Sequence, residues 1–170
     1  MISKNRKTVR IYFTIFLFFS LFFTVGCIQK TVFPAVLLTV TTVTPFTSEP
    51  TKPANASDPI TMADIAVSVK ADTQVPARLL SYSVDYATRL GDAIPGISVP
   101  ETPYDLLLTP GGITTINFSV YTGKVLNLFF NTSSDISPIL ATINFSIKDV
   151  NGNTVKMQAH CLLKKPWWWG

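Results

Sequence analysis

The sequence has few residues of the kinds that build catalytic and metal sites. It contains one histidine, two cysteines and only 14% charged residues among 170. One histidine and two cysteines are too few for an ordinary four-ligand zinc site. The glycine-rich phosphate-binding patterns and the G-x-S-x-G turn of serine hydrolases are also absent from the sequence. We therefore predict no catalytic residues, no metal site and no cofactor, and we expect that the protein is not an enzyme.

The net charge of +4 comes entirely from the N-terminus. Lys4, Arg6, Lys7 and Arg10 precede the first apolar run, and no acidic residue lies in that region. From Cys27 onward the chain has 10 basic and 10 acidic residues. A neutral chain lacks the basic surface that attracts a phosphate backbone, so we predict no nucleic-acid partner.

An uncharged apolar run of 16 residues, Ile11 to Gly26, follows the basic N-terminus. This order is typical of a helical secretory signal peptide, which predicts that residues 1–26 are removed. The run ends Thr24-Val25-Gly26-Cys27, and small residues before a cysteine resemble the bacterial lipobox. The resemblance implies cleavage between Gly26 and Cys27 and a diacylglycerol on the Cys27 thiol. Thr24 departs from the lipobox pattern, which usually has leucine there.

A diacylated Cys27 would hold the protein to a membrane, because two acyl chains suffice for stable attachment at about 0.8 kcal/mol per buried methylene. We therefore predict membrane lipid as a partner, export by a Sec-type signal and a lipid-anchored place in the bacterial cell envelope. Ile28, where an aspartate often signals inner-membrane retention, favours the outer membrane in a Gram-negative organism. The alternative is an uncleaved transmembrane anchor, since the run including Cys27 and Ile28 reaches 18 residues, near the lower limit for a span.

Residues 27–63 are predicted to form a lipid-anchored N-terminal segment with a first strand and a proline-rich linker. Val36–Thr44 is rich in the β-branched residues that favour strands. Pro45–Pro59 contains four prolines among Ser, Thr and Asn, which is typical of a loop. Either residues 29–59 are mostly a tether, or the strand joins the following domain. We favour the second alternative because the apolar face of the strand needs burial.

Residues 64–165 are predicted to form a β-sandwich domain, because apolar and polar residues alternate along them. The predicted strands lie in Ile65–Val69, Leu80–Tyr86, Tyr104–Thr109, Ile116–Val120, Lys124–Asn131, Ile143–Ile147 and Val155–Leu163. Gly91–Pro103 and Pro110–Gly112 are predicted loops. Asn151-Gly152 predicts a hairpin, since both residues tolerate positive φ. Together these signals predict an all-β fold, an antiparallel Ig-like β-sandwich of seven or eight strands.

The stretch from about Leu79 to Leu163 resembles a group of uncharacterised bacterial lipoproteins and secreted proteins. The matching segments are the strand with Tyr82 and Tyr86, then Gly96–Pro100, Pro103–Asp105, Ala141–Phe145 and Asp149–Val155. The resemblance covers about half of the chain. It implies an Ig-like or fibronectin-like β-sandwich and an envelope location, and it implies no catalytic residues.

Asp149, Asn151 and Asn153 have the alternate spacing of a calcium-binding loop. An EF-hand also needs glycine at its sixth position and glutamate at its twelfth, which here are Thr154 and His160. A plain hairpin turn is therefore favoured.

His160 and Cys161 are adjacent, but neighbouring side chains on a strand point to opposite faces. Cys161 shares the apolar register with Ala159, which predicts a buried thiol and not a nucleophile pair. If Cys27 is lipidated, Cys161 has no partner for an internal disulfide.

Residues 166–170 are predicted to form an irregular, tryptophan-rich tail. Lys164 and Lys165 beside Trp167–Trp169 suit a membrane interface or the groove of a partner. A frayed end is at least as strongly indicated, because Pro166 ends the last strand.

These features predict a non-enzymatic envelope lipoprotein with a structural role or a role in binding another protein or a glycan. The loops Gly91–Pro103 and Asn131–Pro138 are its expected recognition elements. The alternative is a lipid-anchored hydrolase or ligand carrier whose site is assembled from distant residues. That alternative predicts a deep pocket with convergent polar groups.

Overall fold

A computed structural model of the protein describes residues 34–55, 58–62, 64–131 and 136–168. The predicted signal peptide, its cleavage position after Gly26 and the lipidated Cys27 lie outside these residues. Within the described ranges, no helix has the length and apolar character needed to cross a bilayer.

The described residues form eight strands and one short helix, which confirms a predominantly β fold. The elements are β1 (Leu38–Thr44), β2 (Thr47–Ser48), β3 (Ile65–Ala71), β4 (Ala77–Ala87), β5 (Val99–Leu108), β6 (Ile113–Phe118), α1 (Gly123–Asn131), β7 (Ile139–Asp149) and β8 (Thr154–Leu163). One sheet has the order β1-β3-β6 and the other β2-β8-β7-β4-β5. The pairing is antiparallel except that β2 runs parallel to β8. The prediction of antiparallel pairing is wrong for this two-residue edge strand, where the chain crosses from one sheet to the other.

The first predicted strand joins the fold. β1 pairs with β3 from Leu38↔Ala71 to Thr44↔Ala66. A register shift between Val40 and Thr42 interrupts the alternation. Because of this shift, Val40 and Val43 can both pack against the core although they are three residues apart.

The buried side chains of both sheets form one hydrophobic cluster. The ring of Phe118 in β6 lies with its centroid 4.9 Å from that of Tyr82 in β4 and 5.4 Å from that of Phe145 in β7. Such ring pairs contribute about 0.5–1.5 kcal/mol beyond the area that they bury. These contacts join the three-stranded sheet to the centre of the five-stranded sheet.

A β-bulge in β4 changes which residues face the core. The pairing of β4 with β7 shifts between Leu79 and Ser81, so Leu80 is the extra residue. The alternation predicts Leu80 on the same face as Tyr82, but Leu79 is fully buried and Leu80 is 42% exposed. This part of the prediction is wrong because a one-residue insertion moves every side chain beyond it to the other face.

β5 extends into a segment that the sequence predicts as a loop. It begins at Val99 and includes Pro100 and Pro103, although the predicted loop runs from Gly91 to Pro103. Proline cannot donate a ladder hydrogen bond, so it is confined to edge strands and bulges. β5 is an edge strand, and its pairing with β4 is irregular at these positions. The loop is therefore shorter than predicted.

The segment Lys124–Asn131, predicted as a strand, is the helix α1. The N–H of Val125 donates to Oγ1 of Thr122 at 3.2 Å, which is the bond that an N-cap threonine makes. Val125 and Phe129, four residues apart, are buried, and Asn127 between them is exposed. The sequence does not predict the helix because its nine residues include a nearly continuous apolar run. In such a run neither the helical period of about 3.6 residues nor the strand period of about 2 residues stands out.

Candidate functional site

The outer face of the five-stranded sheet carries an open groove of about 560 Å³. We call it the polar groove. Its polar lining includes Ser81, Ser83, Glu101, Asn144, Lys156 and Gln158, from β4, β5, β7 and β8. Asn144 pairs with Gln158, and Ser146 pairs with Lys156. Because directly opposed residues of antiparallel strands lie about 4.5–5.5 Å apart, these side chains form adjacent rows.

Asn144 is the centre of a hydrogen-bonded row that spans three strands. Its Nδ2 donates to Oδ2 of Asp85 at 2.8 Å and to Oγ of Ser83 at 3.4 Å. Its Oδ1 accepts a hydrogen bond from Nε2 of Gln158 at 2.8 Å. A primary amide has two N–H donors and a carbonyl acceptor, so Gln158 retains hydrogen-bonding capacity for a ligand. The row holds both amides in defined orientations.

The hydroxyl of Ser81 donates to the carboxylate of Glu101. The Leu80 bulge places Ser81 opposite Ser146 on the outer face, where Ser81 is only 8% exposed. A serine nucleophile is ordinarily activated by a base that a third group orients. The histidine of this chain, His160, instead has its Nδ1 3.1 Å from Oγ1 of Thr142. This arrangement suits binding of polar groups better than acyl transfer.

The apolar residues that border the polar groove direct their side chains toward the core. Tyr82 and Phe145 contact Phe118, and Met157 packs against the same buried cluster. Among the described residues, none of the exposed large hydrophobic side chains lines the groove. A ligand would therefore meet hydroxyls, amides and both signs of charge, and no exposed large apolar side chain among the described residues.

The hairpin that the sequence predicts at Asn151-Gly152 joins β7 to β8, and Asp149 is its internal acceptor. The Asp149 carboxylate accepts from the N–H and the Nδ2 of Asn153, each at 2.9 Å, and from the N–H of Val36 at 3.2 Å. Burial raises the pKa of Asp149, but these hydrogen bonds and one from Asn151 outweigh it and hold the pKa below its usual value.

These donors occupy the carboxylate that a calcium loop would direct at a cation. Among the described residues, no group of three or more His, Cys, Asp and Glu side chains is placed to hold a metal ion. Gly152 has a φ of 85°, and no described residue other than glycine has a positive φ. The turn therefore needs the left-handed conformation at Gly152 alone. The hairpin is predicted because both Asn151 and Gly152 tolerate positive φ, but Asn151 does not adopt it.

Cys161 is a free, fully buried thiol, and His160 beside it is exposed, which confirms that they face opposite ways. Burial raises the pKa of the Cys161 thiol to about 12. A thiol in this state is inert as a nucleophile, because the thiolate is the reactive form.

As far as Trp168, the C-terminal tail packs against the segment that the sequence predicts to be a proline-rich linker. Pro166 is buried, and Nε1 of Trp168 donates to the carbonyl of Pro50 at 3.3 Å. Nζ of Lys52 lies 6.0 Å from the ring centroid of Trp167. The prediction of a frayed end is therefore wrong for these residues. Residues 50–52 lie beside the tail and supply its partners, and these residues are too far away in the sequence for a local pattern to indicate the contact.

The polar groove is a site that the sequence reasoning missed, since it placed recognition in two loops. The last five residues of the first loop, 99–103, belong to strand β5, and residues 132–135 of the second, Asn131–Pro138, lie outside the described part of the chain. A signal was available in the outward positions of β7 and β8. Thr142, Asn144, Ser146 and Gln158 are all polar and uncharged, whereas an ordinary solvent face is rich in charged residues.

No protein-family model and no curated protein matches this chain. Among solved structures, it is similar to Northeast Structural Genomics Consortium target SoR45, with a TM-score of 0.46 and 9% sequence identity over 78% of this chain and 88% of that one. It is also similar to a protein from Archaeoglobus fulgidus, with a TM-score of 0.41 and 12% identity over 78% of this chain and 97% of that one.

Proposed function

We propose that this protein is a non-enzymatic, lipid-anchored cell-envelope protein whose polar groove binds a glycan. The observation that carries the proposal is the hydrogen-bonded row of Asp85, Asn144 and Gln158 across the outer face of the five-stranded sheet. Such a row offers donors and acceptors on neighbouring strands, which the hydroxyl groups of a sugar chain can meet as both acceptors and donors. The groove volume of about 560 Å³ also lies in the range of ligand sites.

A glycan is favoured over a protein partner because of what lines the groove. Protein interfaces depend on a few large aromatic, aliphatic or arginine side chains at their centre, and charged residues are depleted there. The described lining residues present no exposed apolar anchor, and Glu101 and Lys156 bring both signs of charge. A hydrophilic ligand can replace water at these groups without leaving them unpaired.

The anchor and the fold class complete the proposal. The lipobox-like end of the leader supports cleavage after Gly26, lipidation of Cys27 and attachment to membrane lipid, with the outer membrane favoured in a Gram-negative cell. An Ig-like sandwich is supported by the two sheets and their single shared core. A hydrolase or carrier with a deep pocket is less favoured, because the polar groove is open and Ser81 donates to Glu101.

One measurement tests the anchor. Mass spectrometry of membrane-extracted protein should find a chain that begins at Cys27 and carries a diacylglycerol there. A chain that retains Met1 would support the alternative of an uncleaved transmembrane helix and would contradict the lipid anchor.

Calorimetric titration of the full chain in detergent with soluble envelope polysaccharides tests the groove. Asn144→Ala and Gln158→Ala should each weaken binding about tenfold, as expected for the loss of about 1.4 kcal/mol. Thr115→Ala is a matched control, because Thr115 lies on the outer face of the other sheet, where it bonds Ser68. The proposal would be contradicted if no polysaccharide binds, or if all three variants bind as tightly as the parent protein.

A further inference from the structure

The chain enters the described fold beside the β7–β8 hairpin and is held there by hydrogen bonds. Nδ2 of Asn151 donates to the carbonyl of Pro34 at 3.1 Å, and the N–H of Val36 donates to Asp149 at 3.2 Å. The entry point and the hairpin therefore form one end of the domain, which we call the hairpin end.

Two large apolar side chains are exposed at the hairpin end. Leu37 is 60% exposed and Val150 is 69% exposed. Backbone hydrogen bonds hold both residues in place, since the carbonyl of Leu37 accepts from Asp72 at 2.9 Å and the N–H of Val150 donates to Pro76 at 3.0 Å. We call Leu37 and Val150 the apolar pair. Lys148, two residues before Val150, is also exposed and places a positive charge beside them.

The length of chain before Pro34 limits where this end can lie if Cys27 carries lipid. Pro34 follows Cys27 by seven residues, which span at most about 25 Å when fully extended. The 11 residues of β7 extend about 35 Å from the hairpin end to the other end of the sheet. The hairpin end is therefore the part of the domain that such an anchor must keep near the bilayer.

We propose that the apolar pair inserts into the surface of the bilayer that holds Cys27, so that the domain stands on its hairpin end. This inference rests on the proposed lipid anchor. Burial of Leu37 and Val150 among acyl chains removes apolar surface from water, and Lys148 meets anionic headgroups at the same depth. The Asp149 carboxylate, which lies between Lys148 and Val150 in the sequence, is buried and accepts a hydrogen bond from Asn153, so it is shielded from those headgroups.

The test uses the full chain, processed by cells and reconstituted in vesicles of phosphatidylcholine and phosphatidylglycerol. Leu37→Cys and Val150→Cys each carry an environment-sensitive fluorophore. The buried Cys161 thiol, with its raised pKa, does not compete for the label. Leu90→Cys is the matched control, since Leu90 is 89% exposed and lies beyond the far end of β4. All three substitutions are at exposed positions, so the fold should tolerate them.

The expected result is a blue shift of emission at positions 37 and 150, with quenching by lipids that carry a nitroxide near the top of the acyl chain. Position 90 should show neither effect. Water-like emission at 37 and 150 in a chain with diacylated Cys27 would overturn the insertion and leave the anchor standing. Equal quenching at position 90 would overturn the upright orientation. An unmodified Cys27 would overturn the anchor and the inference together.

Discussion

The carboxylate of Asp149 accepts a hydrogen bond from the backbone N–H of Val36, which lies 113 positions earlier in the chain. The same carboxylate accepts two hydrogen bonds from Asn153 in the β7–β8 hairpin. One buried acidic side chain therefore connects the start of the described fold to its last hairpin.

Asp149→Asn should lower the free energy of unfolding near neutral pH, because the amide cannot accept all the N–H groups that point at the carboxylate. The hydrogen bonds lower the folded-state pKa below 3.8 even though burial opposes them. The stability that the carboxylate contributes is thus complete above about pH 4 and is lost as the pH falls through the folded-state pKa. Urea unfolding should show a difference between parent and variant that is large at about pH 7 and shrinks as the pH falls below the unperturbed value of 3.8.

Asp105→Asn is the control for that comparison. Asp105 forms an exposed ion pair with Arg78 at 3.1 Å, and pairs of this kind contribute little to stability. A variant Asp149→Asn that unfolds like the parent at about pH 7 would contradict the proposed role of the buried carboxylate.

Phe129→Ala should destabilise the protein by about 3–5 kcal/mol, because the ring is buried on the inner face of α1. Asn127→Ala should change stability by less than about 0.5 kcal/mol, since this side chain is exposed. A strand would place residues 127 and 129 on the same face, whereas a helix separates them. Thermal unfolding of the two variants therefore discriminates the helix from the predicted strand, and similar losses would argue against α1.

Cys161 should resist alkylation by iodoacetamide in the folded protein at about pH 8 and react once on denaturation, because burial raises its pKa to about 12. The number of labels is read by mass spectrometry. Cys161→Ala preserves an apolar side chain and should cost less stability than Cys161→Ser, which buries a hydroxyl at a cost of about 1–3 kcal/mol. Rapid labelling of Cys161 in the folded protein would contradict its burial.

Tyr86→Phe should cost about 1–3 kcal/mol, because the Tyr86 hydroxyl donates to the carbonyl of Val120 at 2.7 Å and its removal leaves that buried oxygen unpaired. Burial also raises the pKa of Tyr86 above its usual value of 10.0. The folded state therefore favours the neutral phenol, and the associated stability is present below pH 10 and lost as the pH rises above it.

Chemical unfolding of Tyr86→Phe across the alkaline range checks both effects. The parent should lose stability more steeply with rising pH than the variant does. Tyr104→Phe is the control, since Tyr104 is only partly buried in the edge strand β5. Equal alkaline slopes for the parent and Tyr86→Phe would contradict the effect of burial.

Most of the strands could be predicted from the sequence, and the exceptions have physical reasons. Strands β7 and β8 and the hairpin between them follow from local residue order, since the strands show clean alternation and the turn contains a glycine. The residues of these segments therefore suffice to predict them. The Leu80 bulge, the proline-containing edge strand β5 and the helix α1 depend on which strand or core surface lies alongside. A local pattern carries no information about that neighbour, so the sequence alone mispredicts all three.

By itself the sequence determines the alternation within the regular strands β7 and β8, where the charge is concentrated and that Cys161 falls on the apolar face, because these properties follow from residue order and strand geometry. The leader and Cys27 stay predictions at that level. The tertiary structure decides that Asp85, Asn144 and Gln158 form one row and that Val36 meets Asp149. The physical reason is that strand pairing and packing bring together residues 14 to 113 positions apart. Within a regular strand, periodicity determines which way a residue faces, but only pairing between strands determines where a bulge interrupts that pattern and which residue lies opposite.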